Sequence, residues 1–141
     1  MKRLLSPKLL LGCLTASILV VLAGYAVFHR IESPSAVLKH ALHIRSIPSS
    51  IAELRMGSDV WTDEVRCFSF AIAPGDFDRL LMGRAFAKIT FEYPREALTM
   101  HLSPAVSVSG HASYQWRTNG ADCTIFPDDA HEHIIVIFTA D

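Results

Sequence analysis

The chain has 141 residues, of which 13 are Lys or Arg, 14 are Asp or Glu and 50% are apolar. That length allows one domain with a core, so the composition excludes a multidomain enzyme, a disordered chain and a repeat-type polymer. The charges are uneven: no acidic residue precedes Glu32, whereas residues 31–141 hold nine basic and fourteen acidic side chains, a net charge of −5 with histidine neutral. A domain with this net negative charge repels phosphate, which argues against a nucleic-acid partner.

Residues 9–28 are an uninterrupted run of 20 uncharged residues. A helix of that length spans about 30 Å, the thickness of the hydrocarbon core, so the run predicts a transmembrane helix within a membrane or signal anchor at residues 1–30. Basic residues Lys2, Arg3 and Lys8 precede the run, which favours a cytoplasmic N-terminus and an exported domain at residues 31–141. The alternative is a cleaved signal peptide, which would leave a secreted protein.

An amphipathic helix is predicted directly after the anchor. Ser33 and Pro34 match an N-cap and a first helical residue, and apolar side chains recur at helical spacing as far as Leu42. The helix is expected to end before Pro48, because proline disfavours helix at the residue before it. Residues 50–57 match a capping box, but an edge strand is nearly as well supported, and both readings stay open.

Two strands and a short helix are predicted next. Residues 64–73 alternate between an aromatic face and a face of small side chains, the two-residue period of a strand. Asp76 is expected to cap a two-turn helix that buries Phe77, Leu80 and Leu81, which recur at helical spacing. Residues 85–93 alternate again, and Pro94 is expected to end that strand.

The most specific local signal is Asn119-Gly120, which predicts a two-residue type I′ hairpin turn because both residues tolerate positive φ. With Thr118 opposite Ala121, the expected pairs are Arg117 with Asp122, Trp116 with Cys123, Gln115 with Thr124 and Tyr114 with Ile125. One face is then apolar and belongs to the core, whereas the other is expected to face water. The water-facing set comprises Ser113, Gln115, Arg117, Asp122 and Thr124.

Residues 133–138 are apolar on both faces, which predicts a strand in the middle of a sheet or beneath a helix. These elements together predict an α+β fold class: an N-terminal transmembrane helix followed by a small antiparallel or mixed sheet of four or five strands with two or three short helices.

A dense set of candidate metal ligands lies between the last two predicted strands. A strand period would put His131 and His133 on one side, where Asp128 or Asp129 could complete a site. The alternative is a polar loop, since the pattern defines no third ligand. We therefore assign no metal, cofactor or catalytic residue from the sequence.

Cys67 and Cys123 are the two cysteines of residues 31–141. They suit either one disulfide in an oxidising compartment or two buried free thiols. No C-x-x-C, nucleophile motif or phosphate-binding glycine loop is present in the sequence.

These observations predict a single-pass, membrane-anchored extracytoplasmic module that binds a small ligand or an envelope protein and has no catalytic activity. Its contact with the lipid bilayer would be made through residues 9–28. The alternative function is a metal-binding protein or metal-dependent hydrolase that uses His131 and His133.

Overall fold

The computed structural model describes residues 17–18, 33–59 and 64–140. The chain divides into two units, Met1–Glu32 and Ser33–Asp141. In the first unit Ser17 and Ile18 are described, and both are helical and exposed. No helix within the described residues is both long enough and apolar enough to span a membrane. The remainder of the predicted spanning stretch, residues 9–28, lies outside the described residues.

The described part of the second unit contains two short α-helices and six strands. In chain order these are α1 (Pro34–Leu42), β1 (Ala52–Asp59), β2 (Glu64–Ala71), a 3₁₀ turn (Pro74–Asp76), α2 (Phe77–Leu81), β3 (Ala87–Thr99), β4 (Val106–Arg117), β5 (Ala121–Pro127) and β6 (His133–Ala140). The strands form one sheet in the order β1-β2-β6-β5-β4-β3, and every neighbouring pair is antiparallel.

The predicted α+β fold class with an N-terminal transmembrane helix is wrong. The structure is mostly a six-stranded antiparallel sheet with two short helices, and its described residues hold no membrane-spanning helix. Residues 50–57, left open between helix and strand, lie mostly in β1. Pro94 does not end β3, which continues to Thr99. Because β3 is an edge strand and Pro94 lies in a bulge, its missing N–H costs no ladder hydrogen bond.

The helices cover one face of the sheet. As predicted, Ser33 caps α1, since its Oγ accepts a hydrogen bond from the N–H of Ala36 at 3.2 Å. Strand β6 lies between β2 and β5, as its apolar character on both faces predicted. The core on this face joins the helices to the four inner strands of the sheet. Its fully buried members include Leu38, Leu42, Phe68, Leu80, Cys123, Ile125, Ile134 and Val136.

The distal part of the β3–β4 hairpin covers the opposite face. In this segment, residues 95–110 and here called the hairpin arm, Ala97 and Val108 are buried against Ile135 of β6. The prediction that Ser113 and Thr124 face water is wrong, because they are 0% and 8% exposed. Both faces of the sheet centre are therefore covered.

The hairpin bends where it passes the end of β5. At Gly110 a Cβ atom would lie 2.4 Å from the carbonyl oxygen of Pro127, so only glycine fits. Residues 91–94 of β3 oppose the single residue His111 of β4, and this bulge supplies the extra length of the bent edge. At its tip, the arm contacts β1, where the Arg55 side chain donates to the carbonyl oxygen of Pro104 at 2.8 Å.

The predicted register of the β4–β5 hairpin is confirmed at all four pairs from Tyr114–Ile125 to Arg117–Asp122. The Thr118 N–H donates to the Ala121 carbonyl at 2.8 Å and closes the turn. The predicted turn type is wrong, because neither Asn119 nor Gly120 has positive φ. The pairing on either side of residues 119–120 was therefore predicted correctly, whereas the backbone conformation of these two residues was not.

Gly110→Ala should lower the free energy of unfolding by about 1–3 kcal/mol, because the added methyl group meets rigid backbone. Gly120→Ala is the matched control, since a Cβ there meets nothing within 4 Å and φ is not positive. Urea unfolding of both variants checks this. Equal stability of the two variants would contradict the close approach at Gly110.

Candidate functional site

The predicted ligand cluster forms the tight loop between β5 and β6. The Asp128 carboxylate shapes this loop: it accepts the N–H of Glu132 at 2.8 Å and the N–H of His133 at 3.2 Å. Backbone bonds from Asp128 to His133 and from His131 to Asp128, each 3.0 Å long, close the same loop. The Asp128 carboxylate, a candidate metal ligand, is thus engaged in hydrogen bonds with backbone N–H groups.

The two histidines of the cluster have different surroundings. His131 precedes β6, has φ of 58° and packs its ring on Phe77, with 4.2 Å between ring centroids. The Nδ1 of His133 lies 3.0 Å from Asp128. The expected strand period across these histidines is wrong because β6 begins only at His133. In the described part of the chain, no three His, Cys, Asp or Glu side chains are grouped so as to hold a metal ion.

Asp129 ties this loop to the bend of the hairpin. Its carboxylate accepts the His111 N–H at 2.8 Å and lies 2.8 Å from Nδ1 of the same residue. The bond from the His111 N–H, followed by the imidazole contact, lowers the pKa of Asp129. For Asp128 burial acts to raise the pKa, but the bonds from Glu132 and His133 outweigh it and the pKa is lowered.

Asp128→Ala should destabilise the domain by about 1–3 kcal/mol near neutral pH, because two loop N–H groups lose their acceptor. Since folding lowers the pKa of Asp128 below its ordinary value of 3.8, its stabilisation is fully present above that pH and is lost as the pH falls through the folded-state pKa. Urea unfolding of both proteins between neutral and acid pH checks this. The wild-type advantage should shrink only on the acid side, and a pH-independent difference would contradict it.

Cys67 and Cys123 are free thiols on opposite faces of the sheet. Cys67 pairs with Ile137 across β2 and β6, whereas Cys123 pairs with Phe138 across β5 and β6. Burial raises the pKa of Cys67, and the nearby Thr99 hydroxyl opposes this. Burial raises the pKa of Cys123 to about 12, so this thiol is protonated and unreactive at neutral pH.

In the folded protein, a thiol-specific chromogenic disulfide reagent should modify neither Cys67 nor Cys123, because both are buried. In denaturant it should modify both at once. Rapid reaction of either thiol without denaturant, assigned by mass spectrometry of the peptides, would contradict the burial. Cys13 lies outside the described residues and is replaced by serine for this measurement.

A cleft of about 550 Å³ lies where the C-terminal end of α1 meets α2. We call it the basic cleft. Its lining residues are His43, Ile44, Arg45, Ser46, Arg79, Met82 and Gly83. None of these residues is acidic, although residues 31–141 have a net negative charge.

One wall of the basic cleft is the end of α1. His43 adopts a left-handed conformation with φ of 56° and ends the helix, so the chain turns directly into Ile44 and Arg45. Arg84 fixes this end, because its Nε donates to the carbonyl oxygen of Ala41 at 2.7 Å. Its guanidinium lies 3.7 Å from the centre of the Trp116 ring. Burial lowers the pKa of Arg84, and its positive charge complements the helix C-terminus.

The other wall is α2, on which the side chain of Arg79 is bound by the Asp76 carboxylate. Its Nη1 donates to Asp76 at 3.0 Å, and the Ser50 hydroxyl donates to the other oxygen of the same carboxylate at 2.6 Å. These bonds, first that from Ser50 and then that from Arg79, lower the pKa of Asp76. The predicted capping role of Asp76 is wrong, since its side chain makes no cap hydrogen bond to α2.

The basic cleft has the chemistry of an oxyanion-binding site. Arg45 is exposed and has no ion-pair partner among the described residues. Arg79 keeps donors free beyond the one bound to Asp76, and guanidinium groups bind carboxylate and phosphate oxygens in pairs. Sequence reasoning did not identify these residues, because His43–Ser46 and Arg79 come from segments 33 residues apart with no shared motif.

Searches against protein-family models, curated proteins and solved structures find no match for this chain.

Proposed function

We propose that the unit Ser33–Asp141 is a binding module that holds a small oxyanion, a carboxylate or a phosphate compound, in the basic cleft. The observation that carries this proposal is the placement of Arg45, Arg79 and His43 around one cavity whose lining residues include no acid. An anion bound between these side chains would gain charge-assisted hydrogen bonds from both guanidinium groups.

The remaining lining residues define the shape of the ligand. Ser46 adds a polar side chain, whereas Met82, which is 78% exposed, offers an apolar surface at the rim. A compound with an anionic head and a short apolar part therefore fits better than a bare inorganic ion. The net negative charge of residues 31–141 disfavours large polyanions, because such a ligand would extend beyond the basic cleft.

The compartment in which this binding takes place stays a prediction from the sequence. If the domain is exported, the ligand or an acidic segment of an envelope protein would be met outside the cytoplasm. The alternative metal-dependent function also stays a prediction, and the contacts of Asp128, His131 and His133 do not favour it.

Titration calorimetry on the full chain tests the proposal, with butyrate and butyl phosphate as separate probes, since each has an anionic head and a short apolar part. We expect saturable binding of at least one probe at a single site. Arg45→Gln and Arg79→Gln should each weaken that binding by about tenfold or more, because each removes a charge-assisted hydrogen-bond donor. A carboxylate preference and a phosphate preference are distinguished by which probe binds.

Arg117→Gln is the matched control, since it removes an equal charge from an exposed arginine that pairs with Asp122 outside the cleft. It should leave the affinity within about twofold. Absence of saturable binding of both probes at millimolar concentration would overturn the proposal. Equal weakening by the Arg45, Arg79 and Arg117 variants would also overturn it, because the effect would then be one of net charge.

A further inference from the structure

Asp76 is not among the residues that line the basic cleft, yet its carboxylate binds one of them. One carboxylate oxygen accepts a hydrogen bond from Nη1 of Arg79 at 3.0 Å, and the other accepts one from the Ser50 hydroxyl at 2.6 Å. The lining residues include no acid, but an acid outside the lining is bound to one of the two arginines of the basic cleft.

The Asp76 carboxylate is a negative charge held in a fixed position. The bonds from Ser50 and Arg79 lower the pKa of Asp76, so the carboxylate is ionised near neutral pH. The bond from Ser50 does not involve Arg79, and it would therefore still hold the carboxylate if Arg79 turned towards a ligand. Since the side chain makes no cap hydrogen bond to α2, its contacts within the described chain are with these two side chains.

The bond between Arg79 and Asp76 can be exchanged for a bond to a ligand. The two side chains are 49% and 24% exposed, and ion pairs of this kind add little to stability because water screens them. An oxyanion in the basic cleft would therefore share the Arg79 guanidinium with Asp76 or replace Asp76 as its partner. In both arrangements the ligand and the carboxylate are two negative charges beside one arginine.

The cost of placing a second anion beside Asp76 depends on the charge of that anion. The Coulomb energy is proportional to the product of the two charges, so a dianion is repelled with twice the energy of a monoanion at the same place. A carboxylate carries one charge, whereas a phosphate monoester carries nearly two above its second pKa of about 6. Because the free energy depends on the logarithm of the dissociation constant, the factor lost by the phosphate is the square of the factor lost by the carboxylate.

We propose that Asp76 competes with the bound oxyanion for Arg79 and so shifts the preference of the basic cleft from phosphate dianions towards carboxylate monoanions. This inference rests on the proposed function and names the ligand class within it. Asp76 is then a specificity-determining residue, although it does not line the cavity.

Titration calorimetry of the full chain at pH 8 tests the competition, with butyrate as the monoanion and butyl phosphate as the dianion. Asp76→Asn keeps the shape of the side chain and removes its charge. It should tighten the binding of butyrate by about threefold and that of butyl phosphate by about tenfold, because the repulsion is relieved in proportion to the ligand charge. If Asp76 only positioned Arg79, its replacement would weaken binding instead.

Asp122→Asn is the matched control, since it removes an equal charge from an acid that pairs with Arg117 outside the basic cleft. It should leave both affinities within about twofold. Asp76→Ala repeats the measurement with a second neutral side chain and should tighten binding as well. Circular dichroism identifies any variant that fails to fold.

The outcomes separate this inference from the proposed function. Binding to the wild type that both Asp76 variants leave unchanged or weaken would overturn this inference and leave the proposed function standing. Equal tightening of butyrate and butyl phosphate, or equal tightening by Asp122→Asn, would overturn the selection by ligand charge. Absence of saturable binding of both probes to the wild type would overturn the proposed function and this inference with it.

Discussion

Strand β6 is apolar on both faces, and the fold depends on removing both faces from water. Ile134 and Val136 face the helices, while Ile135 lies on the opposite face, and all three are fully buried. Burying one such side chain contributes about 1.5–3 kcal/mol, comparable with a large part of the net stability of a small domain. One layer of helices covers only one face, so the opposite face needs a cover of its own.

The hairpin arm is that cover, and its position explains several local features. It can cross the end of β5 only because residue 110 is glycine, and it can follow the bend only because β3 carries extra residues at its bulge. Asp129 holds the bend through His111. The arrangement has a cost, since the buried Ser113 hydroxyl has no hydrogen-bond partner among the described residues.

The basic cleft follows from how the helices are held on the first face. Gly83 lies so close to the end of α1 that a Cβ there would be 2.1 Å from the Leu42 carbonyl oxygen, and Arg84 binds the neighbouring carbonyl groups. These contacts fix the end of α1 beside α2, and the cavity lies between them. The α1 side of the basic cleft is thus positioned by contacts to backbone carbonyl groups, whereas Arg45 has no ion-pair partner among the described residues.

Local patterns predicted several elements correctly. The cap at Ser33, the central position of β6 and the β4–β5 register all follow from side-chain chemistry within a few residues, so they could be read before the fold was known. The role of Asp128 could not be predicted in this way, because the same sequence spacing suits a metal ligand and a carboxylate that accepts hydrogen bonds from the loop backbone.

The sequence by itself therefore determined in which segments apolar and polar residues alternate, which strand is buried on both faces, and where acidic and basic residues lie along the chain. Only the tertiary structure decided that Ser113 is buried, that β3 continues past Pro94 and that Arg45 and Arg79 share a cavity. The physical reason is the range of the contacts. Periodicity records the environment of one segment, whereas burial by the hairpin arm and convergence at the basic cleft depend on segments that meet only after the chain has folded.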